Sequence, residues 1–327
     1  MKDKILEILL EKRDEYVSGQ ELSRQLDVSR NAIWKAIHSL KDKGYEIEGI
    51  NNKGYRLISV PDRMSYDRVE PCLTTESFAR NYIYFDETDS TNLQAKRGGE
   101  EHAPDGSLYV ADRQVVGRGR RGRSWDSPKG SSIFMTYLLK PDIEIGVVSR
   151  ITIVAAMAVA NAINRVPGIS AGIKWPNDVV VNGKKICGIL TEMSSEGMDI
   201  NYVVCGIGIN VNNREFPEEL ADKATSVLLE TGIKYDRARL IADISNEFER
   251  LYAVFLKTGE LSAILDEYNE MLVNRGRQVL VIEADMANEY EAVGLLPNGA
   301  LRVRSADGSI RDIISGEVSV RGIYGYV

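Results

Sequence analysis

Seven consecutive residues, Gly117-Arg118-Gly119-Arg120-Arg121-Gly122-Arg123, set four arginines among three glycines. Glycine permits positive φ and close backbone approach, so successive N–H groups can form a concavity for an anion. Arginine adds permanently charged forks that match carboxylate and phosphate oxygens. The same composition occurs in solvated or RNA-binding Gly/Arg tails. Here, however, the run lies between two strand-like segments, residues 107–111 and 132–139, and Trp125 follows it. That setting favours a ligand loop. Charge and glycine chemistry alone reach only a carboxylate or phosphate ligand. Joining a carboxylate to a nucleoside triphosphate would bring two anions together and expel pyrophosphate. Cations must then neutralise the charge building on the α-phosphate and the leaving group.

A second run, Lys174-Trp175-Pro176-Asn177-Asp178, precedes a tight turn at Asn182-Gly183 and the pair Lys184-Lys185. Pro176 interrupts strand pairing and turns the chain, leaving Asn177 and Asp178 at a strand end, where they can face a pocket. Taken alone, the run is equally a surface turn before a hairpin, with two solvent-facing lysines after it. Asn182-Gly183 is the strongest short-range hairpin signal in the chain.

The elements that must hold these residues fall into three segments. Residues 1–62 read as a helix, a helix-turn-helix and a β-hairpin, which together describe a winged helix-turn-helix. Ser18 and Glu21 have the spacing of a capping box. Ile33, Ala36, Ile37 and Leu40 stripe one face of a helix running from about residue 30 to 43, and Gly44 suits its C-terminal cap. Residues 63–272 alternate strands (107–111, 132–139, 172–175, 179–181, 186–193, 202–209) with apolar helices over 147–165 and 237–256. The strand–turn–strand at 182–183 argues for a mixed α+β sheet. Residues 273–327 carry short strands punctuated by Pro297-Asn298-Gly299 and Asp307-Gly308, which suit a small β-barrel.

Composition narrows the class. The chain has 327 residues, 43% hydrophobic and 27% charged, so it reads as globular and of about two domains. No apolar run is long enough to span a membrane. Cys72, Cys187 and Cys205 are far apart and odd in number, and with only His38 and His102 a His-rich zinc site or a His-based triad is disfavoured. These features point to the cytoplasm. The net charge of −7 is uneven: residues 1–60 carry 11 Lys/Arg against 10 Asp/Glu, so the acidity sits in the remainder. Only the head has the balance for nucleic-acid binding.

Ser90-Thr91-Asn92, Gln114, the 117–123 loop with Trp125, the 174–178 run, Lys185 and Gly206-Ile207-Gly208-Ile209-Asn210 follow one another in the order of the biotin–protein ligases. With a winged helix-turn-helix in front, the chain resembles the bifunctional class that also represses the biotin operon. The resemblance covers essentially the whole chain. It implies a central mixed α/β domain of the class II aminoacyl-tRNA synthetase/biotin ligase type and an SH3-like C-terminal barrel. Ser90, Thr91, Asn92 and Gln114 would bind the head group of biotin. Gly117, Arg118, Gly119 and Arg120 would close over its carboxylate and the α-phosphate, with Arg121 and Arg123 nearer the leaving pyrophosphate. Trp125 would pack near adenine, the alternative being a core tryptophan. Lys185 would contact the carboxylate and the developing charge, beside Arg120 the foremost catalytic candidate. Asn177 and Asn210 would touch adenine or phosphate, or be purely structural. Asp178 would bind Mg²⁺ or help deprotonate the acceptor lysine. Arg321 lies in a segment near the nucleotide. The implied reaction uses ATP and Mg²⁺ to make biotinyl-5′-AMP and passes biotin to a lysine of a biotin carboxyl carrier domain. The Arg loop and residues 211–222 are the expected lids.

On the head, Ser29, Arg30, Asn31 and Lys35 are left outward once Ile33, Ile37 and Leu40 face the core. They would read base edges, while Lys53 and Arg56 would contact phosphates. Trp34 fits either partial core or a base contact. Two heads on a two-fold operator imply a homodimer, which the resemblance links to biotinyl-5′-AMP. Two other readings are a regulator that senses biotin with catalysis secondary, and a lipoate-type ligase of the same fold.

Overall fold

The computed structural model describes all residues except 13, 14, 43, 60, 61, 284, 285, 315–318, 323–325 and 327, and it does not describe the side chains of Asp3, Ser319, Arg321 and Gly322. The chain divides into two compact units, Met1–Asp62 and Arg63–Val327.

The first unit comprises α1 (Lys2–Glu11), α2 (Gly19–Leu26), α3 (Arg30–Asp42), β1 (Glu46–Ile50) and β2 (Gly54–Ser59). Ser18 starts α2 by accepting from the Glu21 amide at 3.0 Å. The Glu21 carboxylate does not return to Ser18; it pairs with Lys12 at 2.8 Å, so only half of the expected capping box forms. Asp27, at φ 52°, ends α2, and Gly44, at φ 92°, follows α3. Ile33, Ala36, Ile37 and Leu40 are the buried stripe of α3, packed in one cluster with Ile5, Leu9, Leu22 and Leu57. Each isoleucine or leucine side chain contributes about 1.5–3 kcal/mol by leaving water, Ala36 less, and the i, i+3, i+4, i+7 spacing is what aims all four at one core. β1 and β2 close the unit as an antiparallel hairpin.

The second unit runs α4 (Tyr66–Val69), β3 (Tyr82–Phe85), α5 (Thr91–Glu100), β4 (Ser107–Ala111), β5 (Ser132–Leu139), α6 (Arg150–Ile163), β6 (Ala171–Lys174), β7 (Asp178–Val181), β8 (Lys184–Glu196) and β9 (Asp199–Asn210). It continues with α7 (Val227–Thr231), α8 (Arg237–Leu256), α9 (Leu265–Met271), β10 (Gln278–Glu283), β11 (Met286–Leu295), β12 (Leu301–Arg304), β13 (Ile310–Ile313) and β14 (Ser319–Gly322). Seven strands form one sheet in the order β3-β4-β5-β9-β8-β7-β6. Only β3 and β4 are parallel, so the sheet is mixed, as the hairpin signal requires.

Helices cover both faces of the sheet. Tyr137 and Leu139 of β5 pack in the large core with α6 and α8. Leu138 instead joins Ala95 of α5, Tyr109, Tyr202 and Val204 in a second cluster. A strand buried on both sides explains why β5 is apolar without alternation. The segment Ile145–Ile163 is long and apolar enough to cross a membrane by length and composition, but residues 151–160 are all buried in this core.

The remaining strands make a five-stranded antiparallel sheet in the order β13-β12-β11-β10-β14, which leaves β13 and β14 at opposite edges among the described residues. The expected small barrel is thus observed as an antiparallel sheet. Its last strand, β14, pairs with β10 and carries too few alternating residues to be noticed in the sequence.

Candidate active site

The floor of the site is the face of the sheet that α5 covers. Register places Thr136 opposite Gly206 and Phe134 opposite Gly208 across β5 and β9. Gly206 and Gly208 in turn face Leu190 and Gly188 on β8. A Cβ added at Gly206 would lie 2.0 Å from Asn92 Oδ1, and one at Gly208 would lie 2.7 Å from Trp125 Cε2. The alternating glycines are therefore required by close approach: they let the first turn of α5 and the Trp125 ring lie directly on the strands.

Ser90, Thr91 and Asn92, read as a polar stretch, are the N-cap and first turn of α5, and all three are buried. Gln114 Oε1 accepts from the Thr91 amide at 2.8 Å and from its hydroxyl at 3.1 Å. The Thr136 hydroxyl lies 2.8 Å from Thr91 Oγ1 and 2.7 Å from Asn92 Oδ1. Asn92 donates to Glu192 Oε2 at 2.8 Å, and Lys96 donates to Glu192 Oε1 at 2.7 Å. Burial works to raise the Glu192 carboxyl, but the hydrogen bonds from Asn92 and Lys96 prevail and hold it below the ordinary carboxylate range. A half-buried carboxylate thus fixes which way the Asn92 amide points.

The Gly/Arg loop is a small hairpin. Trp125 N–H donates to Gly117 O at 3.0 Å and Gly119 N–H to Arg123 O at 2.7 Å, around a turn in which Arg121 (φ 57°) and Gly122 (φ 71°) take the left-handed conformation. This corrects the picture of a glycine-built backbone cradle. The amides of Gly119, Arg123 and Trp125 are spent inside the hairpin, so they do not form a run of successive free N–H groups. Gly117 is needed for space, since its Cβ would stand 2.4 Å from Trp125 O. Arg120 reaches across to donate to Asn177 Oδ1 at 2.9 Å, and Asn177 is held by Ile189 O at 3.0 Å. Burial pulls the Arg120 guanidinium below its usual basicity, with Asp178 opposing.

Two cavities meet here. The smaller, about 470 Å³ with its mouth, is lined by Ser90, Thr91, Asn92, Gln114 and Arg118 above the glycine floor. The larger, about 2290 Å³ with its mouth, is lined by Arg121, Arg123, Lys174, Asp178, Asn210 and Tyr326. Gly119, Arg120, Trp125, Asn177 and Lys185 line both, forming their common wall. Lys185 Nζ lies 2.6 Å from Asp178 Oδ1 and 5.1 Å from the Trp125 ring centroid. The backbone of Lys185 is pinned to the segment after Asn210, donating to Lys223 O at 2.7 Å and accepting from Thr225 at 2.9 Å. Phe216, Leu220 and Asp222 of that segment border the larger cavity. The backbone of Arg321 lies in β14 opposite Leu280, while its side chain is outside the described residues.

Three contributors escaped sequence reasoning. Thr136 and Glu192 sit in strands where every second residue faces the site, so period two was an available signal. Tyr326 carried none. No group of three or more His, Cys, Asp or Glu side chains that could hold a metal occurs among the described residues.

On the first unit, Ser29, Arg30, Asn31 and Lys35 are exposed around the start of α3. Ser29 Oγ accepts from the Ala32 amide at 3.2 Å, and Arg30 donates to Gln20 of α2 at 2.7 Å. Trp34 is 52% exposed, with its ring 4.4 Å from that of His38, so it is no part of the core. In the hairpin, Lys53 stands 5.8 Å from the Tyr16 ring, and Arg56 stacks on the same ring while pairing with Glu48 at 2.9 Å.

A separate winged helix-turn-helix unit and a twin-cavity site with cations on the shared wall define a DNA-binding ligase that activates a small carboxylate. Comparison with known proteins agrees. The Biotin/lipoate A/B protein ligase family model matches residues 82–210, an HTH domain model matches 2–56, and the Biotin protein ligase C terminal domain model matches 276–321. The bifunctional ligase/repressor BirA of Bacillus subtilis is 42% identical over 257 residues, 78% of this chain and 79% of that protein. That of Bacillus spizizenii is 37% identical over 318 residues, 97% of each chain. The biotin protein ligase of Aquifex aeolicus, solved in complex with biotin and ATP, superposes with a TM-score of 0.66 at 31% identity, covering 74% of this chain and 99% of that one. The chain belongs to the family of bifunctional biotin ligase/repressors.

Proposed function

We infer that the protein activates biotin with ATP in the smaller cavity, transfers it to a lysine of a biotin carboxyl carrier domain, and represses transcription through its winged head. The observation that carries this reading is the shared wall: Arg120 and Lys185 border both cavities at once. In the first step a biotin carboxylate oxygen attacks the α-phosphorus, the bond to the bridging oxygen breaks, and pyrophosphate leaves. Arg118, Arg120 and Lys185 neutralise the carboxylate and α-phosphate, while Arg121 and Arg123 face the leaving group. Ser90, Thr91, Asn92 and Gln114 hold the head group. Trp125, Asn177, Asn210 and Arg321 serve the nucleotide. In the second step a neutral lysine amine attacks the acyl carbon, the bond to the phosphate oxygen breaks, AMP departs, and Asp178 takes the amine proton.

Mg²⁺ would arrive with the phosphates, neutralising their charge. The alternative role for Asp178, in place of taking the amine proton, would be to hold this ion, since an ion carried by phosphates needs few protein ligands. The Gly/Arg hairpin and residues 211–222 would cover the hydrolysable adenylate. In this reading residues 1–62 form the DNA-binding domain, 63–272 the catalytic domain and 273–327 the C-terminal domain. Ser29, Arg30, Asn31 and Lys35 address base edges; Lys53 and Arg56 address phosphates, Arg56 by releasing Glu48. The protein works in the cytoplasm as a homodimer on two-fold DNA, promoted by the adenylate. Biotin-dependent release of pyrophosphate from ATP tests the enzyme reading, and release driven equally by lipoate would turn the assignment to that acid.

A further inference from the structure

The one aromatic side chain reaching the larger cavity from beyond β14 is Tyr326 among the described residues. Its phenol donates to Asp178 Oδ2 at 2.5 Å, while Lys185 Nζ lies 2.6 Å from Oδ1 of the same carboxylate. Lys174, only 5% exposed, grips the tyrosine from its other side. Its Nζ lies 3.6 Å from the ring centroid, and it also donates to the Tyr326 carbonyl. Tyr326, Asp178 and Lys185 thus form a continuous chain of polar contacts that ends at the wall between the cavities.

The chemistry of that chain is specific. A carboxylate facing a lone ammonium group is free to rotate and share both oxygens with it, which draws the cation away from any other anion. A phenol fixed on one oxygen sets the plane of the carboxylate and withdraws part of its charge. The lysine then meets a single, weakened oxygen and stays available to an incoming carboxylate or phosphate.

We propose that Tyr326 is a positioning residue of the ligase reaction, holding the Asp178 carboxylate so that one oxygen alone faces Lys185. The inference rests on the ligase reading of the twin cavities. The competing account is that Tyr326 merely fills space against Lys174, and the two are separable because the ring and the hydroxyl do different work.

The test uses the full chain with ATP, Mg²⁺, biotin and a carrier domain. Tyr326→Phe keeps the ring on Lys174 and removes the donor. A hydrogen bond to a charged group of this kind corresponds to about a tenfold change in rate, so kcat for carrier labelling should fall about that much, with the KM values for ATP and biotin held within roughly twofold. In an Asp178→Asn background, followed by single turnover, the same substitution should cost nothing further. Thermal melting checks that the variant is folded; if Tyr326→Phe is not, Tyr326→Leu enters the same comparison. An unchanged kcat in Tyr326→Phe, or an equal loss with and without Asp178, overturns the proposal. Wild-type protein that labels the carrier beside such a variant leaves the ligase reading standing. Wild-type protein that labels nothing removes both.

Discussion

The two cavities of the catalytic unit are built on opposite plans. The smaller is walled by groups whose hydrogen bonds are already paired: Thr91 with Gln114, Asn92 with Glu192, and Thr136 with both. Its floor is strand backbone exposed by glycine, and the half-buried Glu192 carboxylate fixes the Asn92 amide within it. The larger is wide and charged, bordered by loops, by Tyr326 and by arginines in a hairpin turn. A pre-paired pocket suits recognition of a neutral, hydrogen-bonding head group, because its polar groups are held in fixed directions before the ligand arrives. A cation-rich chamber suits a triphosphate, whose charge changes position as the reaction proceeds. In the proposed reading, specificity and catalysis are divided between neighbouring spaces that share Arg120 and Lys185 as lining residues.

Substitutions can break this division, beginning with the largest effect. Lys185→Ala removes one of the two cations on the common wall and should lower the rate of adenylate formation by about 10²–10³-fold, measured as biotin-dependent pyrophosphate release, with biotin binding far less affected. Gly206→Ala forces a methyl into Asn92, 2.0 Å away before relaxation. Overpacking of this kind costs about 1–3 kcal/mol, so calorimetry should show biotin affinity reduced and the melting temperature lowered. If Gly206→Ala instead weakens ATP and spares biotin, the assignment of the two cavities is reversed.

Arg120→Gly acts on the wall as a cover. The adenylate should escape roughly 10- to 100-fold faster, as expected from losing one charge-assisted contact worth about 1.5–3 kcal/mol, and bystander proteins should become labelled. Retention of the adenylate at the wild-type level contradicts the lid role. The smallest effect is the control on the other unit. Lys53→Ala should weaken DNA binding uniformly across sequences and reduce the salt slope by about 1, with ligation unchanged.

Much of the fold was legible because periodicity is a direct consequence of burial. The stripe on α3 and the bounds of β4, β5 and α8 follow from which residues must leave water. Other elements were hidden for physical reasons. In the first turn of α5, Thr91 bonds to Gln114 and Thr136, and Asn92 bonds to Thr136 and Glu192, and an internally satisfied polar turn looks like a loop in sequence. The short strands β3 and β14 owe their existence to pairing with distant partners. At the site, the loop and the 174–178 run were visible as unusual residue types in unusual spacing. The hairpin geometry of the loop, with Arg121 rather than Gly119 taking positive φ, was not. Glu192 was marked only by the period of two along β8, while Tyr326 reaches its position through tertiary packing alone, with no local pattern to mark it.

The central claim, that one wall serves both cavities so that biotin is activated and then transferred, is tested most directly in a single vessel. The intact protein is incubated with ATP, Mg²⁺, biotin and a biotin carboxyl carrier domain, and the carrier is analysed by mass spectrometry. Biotin should be found on one carrier lysine, only when ATP is present, and lost when Lys185 is replaced by alanine. A carrier that stays unlabelled with wild-type protein, or that is labelled equally by Lys185→Ala, contradicts the account.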